Sequence, residues 1–176
     1  KMDTTVESAS AFRSHDARKA VVAAEKAREY LTFRLGGEEY GIDILAVQEI
    51  RSYEAPTRLA NAPSFIKGVI NLRGVIVPIV DLRVKLGCDT ADYNEFTVVI
   101  VLNVNGTEIG AVVDGVSDVV ALTQSSIKAA PQFQGHVDSS FITGIAKLDD
   151  RMLVIMDIRS LMSSEEMGML LKVAKS

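Results

Sequence analysis

The feature that most constrains this chain is that its sequence repeats itself. Moving the first half along by 69 residues lays Gly37-x-Glu39-x-Gly41-x5-Val47 onto Gly106-x-Glu108-x-Gly110-x5-Val116. Moving it by 76 lays Gly68-x3-Leu72-x6-Ile79-x-Asp81-x-Arg83 onto Gly144-x3-Leu148-x6-Ile155-x-Asp157-x-Arg159. The change of offset from 69 to 76 marks a seven-residue insertion in the second copy, between Val119 and Gly144. Between the anchors Ile50 faces Val119, and Leu82 faces Ile158. A unit of about 70 residues is too long for a solenoid repeat and long enough for a small sheet. Glycines and Asp-x-Arg at fixed offsets argue for duplication rather than chance likeness among Val-rich strands.

The local pattern says what each copy is made of. From Tyr30 the hydrophobic period is two: Leu31, Phe33 and Leu35 alternate with Thr32 and Arg34, the mark of a half-buried strand. Gly36-Gly37 supplies a turn and a second strand follows over 39–44. Further strands are predicted over 69–72 and 75–82, split by Arg73-Gly74, with Pro78 implying an edge, a bend or a bulge. The second half gives strands over 97–104 and 108–113 about an Asn105-Gly106 turn, then 142–148 and 151–158 about Asp149-Asp150. Each copy reads as four or five short strands, with a helical turn near its middle. Curling a small sheet into a barrel removes its exposed edges. The expected fold is therefore all-β, an internal duplication of two small barrels at about 30–95 and 96–162 that share one interface. Ser163-Ser164-Glu165-Glu166 starts a C-terminal helix over 163–176, a serine cap followed by acidic residues in the first turn. Met167, Leu170, Leu171 and Val173 would form its apolar face.

Residues 1–28 differ from the rest. They are rich in Ala, Ser and charge, and a loose helix is predicted across roughly 17–29. Their apolar surface is too small for an independent domain, so they are expected to be a mobile arm. Lys1 ahead of Met2 suggests a cloning scar before a natural start.

Composition excludes several classes of function. Apolar residues make up 48% of the chain but aromatic ones only 6%, with no Trp, so the core is built from Val, Ile and Leu. A net charge of −4 supplies no cationic face for nucleic acid or for an anionic membrane. No apolar run approaches the roughly 20 residues of a spanning helix, and no secretory signal opens the chain. A single cysteine, Cys88, forbids an internal disulfide, and the chain is expected to be cytoplasmic.

Reactive constellations are few. The two histidines are His15, in the arm, and His136, in a polar loop. A Cys88–His136 nucleophile pair exists on paper, but no neighbouring motif would activate it. No zinc spacing, phosphate-binding loop or dinucleotide fingerprint occurs. No metal or other cofactor and no catalytic residue is expected. Asp81 and Asp157 occupy equivalent positions, each followed two residues later by an arginine. An acid/base pair would place its two members in different environments. Repetition points instead to each Asp closing its own barrel by accepting turn hydrogen bonds.

What remains is surface. Arg73 before Gly74 at a strand turn can project its guanidinium outward, and Arg is favoured at interfaces. The blander alternative pairs Arg73 with an acid such as Glu49. The run Ile44 to Ile50 holds more apolar residues than one strand face can bury, which marks Val47 as either core or contact.

At these residues the chain resembles the CheW family of bacterial chemotaxis coupling proteins. The stretches that carry the resemblance are EEYGIDILAVQEIRSYEAPTRLANAPSFIKGVINLRGVIVPIVDLR at 38–83, TVVIVLNVNGTEIGAVVDGVSDVVAL at 97–122 and DRMLVIMDIRSLMSSEEM at 150–167. The match runs from about Tyr30 to Met167, so whole segments carry it; the arm before Glu29 and the loop from Gln132 to Ser140 depart from the family pattern. The resemblance implies a CheW-like domain over 30–162 made of two SH3-like five-stranded β-barrels with a groove between them. It implies a cytoplasmic adaptor that reaches membrane receptor arrays through its partners. Those partners would be the regulatory domain of the histidine kinase CheA and the cytoplasmic hairpin tip of methyl-accepting chemoreceptors. By this resemblance Val47, Glu49, Ile50, Arg73, Val98 and Val99 are partner-contacting positions. Gly68, Gly74 and Gly110 shape the surface that carries them. Two other readings stand beside it: a fragment of a longer relative, such as CheA or the receiver-bearing CheV, and a small-molecule-binding barrel. The second needs an interior cavity where the pattern places Val, Ile and Leu.

Overall fold

The computed structural model describes residues 26–88, 92–129, 141–161 and 164–175. The first half forms β1 (Arg28–Leu35), β2 (Glu38–Asp43), a single 3-10 turn at Ile44–Ala46, β3 (Val47–Ser52), β4 (Ile66–Leu72), β5 (Val75–Asp81) and helix α1 (Leu82–Lys85). The second half forms β6 (Val98–Val104), β7 (Thr107–Val113), β8 (Gly115–Leu122), β9 (Ile127–Lys128), β10 (Ile142–Leu148), β11 (Arg151–Met156), α2 (Ile158–Leu161) and α3 (Ser164–Lys175). The repeat is structural. The same offsets carry β1 and β2 onto β6 and β7, β3 onto β8, β4 and β5 onto β10 and β11, and α1 onto α2.

The strands do not sort by sequence half, and the expected division at 95/96 is corrected accordingly. One sheet runs β8-β1-β2-β11-β10-β9 and the other β3-β6-β7-β5-β4. Hairpin β1–β2 leaves its own copy and completes the second; hairpin β6–β7 completes the first. The joins are parallel, β2 to β11 and β5 to β7. Parallel neighbours need a long crossover between them, and the intervening strands provide it. The first sheet has six strands rather than the expected five because Ile127–Lys128 pairs with β10. Its counterpart in the other copy is the isolated bridge Thr57↔Val69.

The exchange explains the core. Alternate residues of a strand face opposite sides. Leu31, Phe33 and Leu35 on β1 meet Ile100, Leu102 and Val104 on β6 in one large cluster between the sheets. The opposite faces fill the interior of each sheet: Val99, Val101 and Val112 with Leu72, Val77 and Ile79 in one, Tyr30 with Leu122, Ala146, Leu153 and Ile155 in the other. Buried on both faces, β6 reads as a near-continuous apolar run, whereas β1 keeps its alternation, with Thr32 and Arg34 between Leu31, Phe33 and Leu35. Pro78 lies inside β5, a central strand; pairing to β7 starts one residue later, at Ile79, and a register shift in β4 lies opposite Ile79 and Val80.

Two local expectations need comment. The helix predicted across 17–29 falls mostly outside the described residues, and at its end Arg28 and Glu29 are strand, paired with Leu122 and Ala121. Alanine propensity there yields to sheet pairing. The C-terminal helix forms as read. Leu170 is fully buried in the large cluster, and Lys85 bridges Glu166 on α3 while lying over the Phe65 ring. The side chains of Met167, Leu171 and Val173 lie outside the described residues.

Candidate partner-binding surface and the two sheet junctions

The residues singled out by sequence fall into two groups. Glu49 and Arg73 come together on the five-stranded sheet, and Ile50, next to Glu49 on β3, is exposed. Strand β3 is an edge of that sheet, pairing only with β6, and it alternates so that Ile50 projects outward. Arg73 sits in the β4–β5 turn at φ 53°, with Gly74 at φ 88°. Both values are left-handed, the geometry of a hairpin turn that normally selects Asn or Gly at the first position. An arginine there accepts backbone strain and throws a long cationic side chain clear of the sheet. Its Nη1 and Nη2 donate to Glu49 Oε2 and Oε1 at 3.3 and 3.4 Å, a long, solvent-exposed pair. Such a pair contributes little to stability and can exchange for another partner. Val75, two residues after Arg73 and exposed like Ile50 at 46%, was not singled out by sequence. It follows the turn directly, where the alternation phase is hardest to read.

Val47 and Val98 are half-buried against the large cluster. Val99 is 2% exposed and lies inside the sheet beside Ile79 and Val101, so its expected contact role is corrected. Neighbouring strand residues cannot both face outward. Among the three glycines, Gly74 serves the turn. A Cβ on Gly68 would fall 2.1 Å from the Thr57 carbonyl oxygen, where Thr57 and Val69 exchange two backbone hydrogen bonds of 2.9 Å. Gly110 is an interior residue: its Cβ would meet Ile79 Cδ1 at 2.6 Å and Val99 Cγ1 at 2.8 Å.

On the six-stranded sheet, Arg151 is held more tightly. Its guanidinium donates to both oxygens of Asp118 at 2.9 Å, and to Glu39 Oε2 and Oε1 at 3.0 and 2.6 Å. The hydrogen bonds from Arg151 and Thr32 pull the Asp118 carboxyl down to about 2.

The chain crosses between sheets twice, at positions related by the repeat. The β7–β8 junction carries Asp114. Its Oδ2 accepts from the Gly36 N–H in the β1–β2 turn at 2.8 Å, and its Oδ1 accepts from Arg83 Nη1 at 3.1 Å. Arg83 is 1% exposed and also donates to both oxygens of Asp81 at 3.0 Å and to the Asp92 carbonyl. The Tyr93 hydroxyl donates to Asp81 at 2.8 Å, and its ring stacks on Tyr53 at 4.3 Å. Burial pushes the Asp81 carboxyl up, but the hydrogen bonds from Arg83 and Tyr93 outweigh it, and the group stays below its ordinary value. This is a charge held in place, not a base poised near neutrality.

The β2–β3 junction is open. Leu45 stands where Asp114 stands and is 88% exposed. Asp157 and Arg159 stand where Asp81 and Arg83 stand, but Arg159 is 65% exposed and reaches Asp157 Oδ1 only at 3.3 Å. Both aspartates accept from the arginine backbone N–H at 3.0 Å, the turn-closing role expected of them. Beside Leu45 and Arg159 lies a cleft of about 420 Å³, also lined by Arg28, Tyr30, Asn105 and Met156. Cys88 is half-buried by the β1–β2 turn, and His136 lies outside the described residues. Among the described residues no group of three His, Cys, Asp or Glu could hold a metal ion.

Comparison with known proteins bears on the whole assembly. The CheW-like domain family matches residues 29–166. The chemotaxis protein CheW of Klebsiella aerogenes is 57% identical over 149 residues, covering 85% of this chain and 90% of that protein. The CheW of Bacillus subtilis is 35% identical over 136 residues, covering 77% and 86%. The crystal structure of the scaffolding protein TtCheW from Thermoanaerobacter tengcongensis matches with a TM-score of 0.72 at 33% identity, over 77% of this chain and 92% of that one. The two interleaved sheets are therefore the two SH3-like barrels of that fold, and the chain belongs to the CheW family.

Proposed function

We infer that this chain is a non-catalytic adaptor of bacterial chemotaxis. It binds the regulatory domain of the kinase CheA and the cytoplasmic tip of a chemoreceptor, and lets receptor state set kinase activity. Family membership supports the adaptor role. The observation that carries the site is the exposed Arg73–Glu49 pair at the β4–β5 turn, with Ile50 and Val75, close to its two members in sequence, also exposed. Exposed apolar residues and a displaceable arginine have the make-up of an interface hot spot. Val47 and Val98 are half-buried against the large cluster, and Val99, Gly68 and Gly110 shape the sheet from within. Coupling requires unequal binding to the active and inactive states of the kinase. Two barrels in one chain make the second encounter intramolecular, which raises its effective concentration. No turnover is part of this reading; the barrel interiors are filled by Val, Ile and Leu. Among the described residues no helix is long and apolar enough to cross a membrane. The protein would act in the cytoplasm, held at receptor arrays by its partners.

Calorimetric titration of the full chain with a CheA regulatory domain and with a receptor-tip fragment tests this. Wild type should bind both, and Arg73→Ala should weaken at least one by about tenfold or more. Folded wild type that binds neither cognate partner would remove the adaptor reading.

A further inference from the structure

Glu49 has two counter-ions. Strand β3 alternates, so Glu49 and Arg51 lie on the same half-buried face while Ile50 between them is exposed. Arg51 Nη1 lies 3.6 Å from Glu49 Oε1, the oxygen that also accepts from Arg73 Nη2 at 3.4 Å. The other oxygen, Oε2, accepts from Arg73 Nη1. The two arginines differ in freedom. Arg51 stands in the β3–β6 ladder opposite Val99 and is 36% exposed; Arg73 stands in a turn and is 71% exposed. The repeat-related acid, Asp118, has the opposite arrangement. There one guanidinium, Arg151, serves two carboxylates, Asp118 and Glu39. The first barrel thus carries a surplus cation where the second carries a surplus anion.

We propose that Arg51 is a positioning residue for the partner surface: it keeps Glu49 paired when Arg73 turns outward, which frees Arg73 to take a carboxylate on the partner. The proposal rests on the adaptor reading above and adds the chemistry of the group recognised, an Asp or Glu side chain. A guanidinium binds such a group through two parallel hydrogen bonds. With Arg73 as its sole counter-ion, Glu49, only 27% exposed, would be left unpaired whenever Arg73 swung away. A partly desolvated carboxylate resists that loss. Arg51 removes the penalty without touching the partner.

Calorimetric titration of the full chain with the CheA regulatory domain and with the receptor-tip fragment tests this, in a cycle of Arg51→Met, Glu49→Gln and the double variant. Arg51 lies at a sheet edge and is more than a third exposed, so its replacement does not threaten the fold. For the partner that Arg73→Ala weakens, Arg51→Met should weaken binding about threefold, and Arg51→Lys, which keeps the counter-ion, should restore it. In the Glu49→Gln background Arg51→Met should cost nothing further, because Arg73 is already released. An undiminished loss there would mean that Arg51 meets the partner itself, and would overturn the proposal. So would wild-type affinity for both partners in Arg51→Met, or in Arg73→Ala. Wild type that binds neither partner would remove the adaptor reading, and this proposal with it.

Discussion

The two junctions began as one motif and now do opposite things. At Asp114 the chain is pinned: a single carboxylate ties the β1–β2 turn of one barrel to the buried Arg83 of the other. At Leu45 the same backbone position carries a leucine in solvent, and Arg159 lies over an open cleft. The turn-closing frame is retained in both, down to the 3.0 Å bond from each arginine N–H to its aspartate, although a 3-10 turn joins β2 to β3 where Asp114 alone joins β7 to β8. What changed includes Leu45 for Asp114 at the crossover and Asn103 and Asn105 for Arg34 and Gly36 on the wall. The barrels are thus held together firmly on one side and left accessible on the other.

The comparison breaks most visibly at the arginines. Arg83→Met leaves Asp81 buried without its counter-ion, and removing one partner of a buried pair costs about 3–5 kcal/mol. Arg159→Met, at the equivalent position, should change stability by no more than about 0.5 kcal/mol. Chemical denaturation of both variants measures the difference, and equal losses would mean that the junctions are not distinct. The closed junction should also be acid-sensitive. Asp81 has a folded pKa below its unfolded one, so its contribution is present above the ordinary value near ~4 and is lost as pH falls through the lower folded value. In Arg83→Met burial outweighs the remaining Tyr93 hydrogen bond at Asp81, so that dependence should shrink or reverse.

The repeat and most strands could be read from the sequence because glycine spacing and period-two alternation are local. Strand exchange between halves could not. Alternation tells which face of β1 is apolar, but nothing local says that this face packs across the interface while Tyr30 on the other packs into its own sheet. Strands β3 and β8 escaped notice for a related reason: Val47–Ser52 and Gly115–Leu122 expose alternate residues at sheet edges and carry charge among their apolar residues. Arg73 could be picked out because an arginine in an Asn-Gly-type turn is out of place. Val99 could not be separated from Val98 by composition, although the strand period forbids both from facing a partner. The cleft depends on Leu45 and Arg159, more than a hundred residues apart, and only the exchanged topology joins them.

A second contrast between the barrels is smaller. Gly41 and Gly110 are repeat-related, but a Cβ at Gly110 meets Ile79 and Val99 at 2.6 and 2.8 Å, while at Gly41 the nearest atom is the flexible end of Ile155 at 3.1 Å. Gly110→Ala should cost about 1–3 kcal/mol by overpacking. Gly41→Ala should stay within about 1 kcal/mol of wild type, since Ile155 can yield and the unfolded chain loses freedom. Thermal melts of the two variants compare the barrels directly, and a greater loss at Gly41 would reverse the order of their packing tightness.

The smallest effect asks whether the junctions differ by one residue. Leu45→Asp places a carboxylate where Asp114 stands, beside Arg159 and facing the β6–β7 turn. If the backbone frames are equivalent, the new carboxylate accepts from Arg159 and stabilises the protein by about 0.2–1 kcal/mol, the range of an exposed pair. That gain should fade in about 1 M salt, where charges are screened within ~3 Å. It should vanish in the double variant with Arg159→Met. A gain that survives salt would come from removing an exposed leucine rather than from a new ion pair. No gain at low salt would show that the open junction lacks more than a carboxylate, and that the stretch entering β6 does as much to close the first junction as Asp114 does.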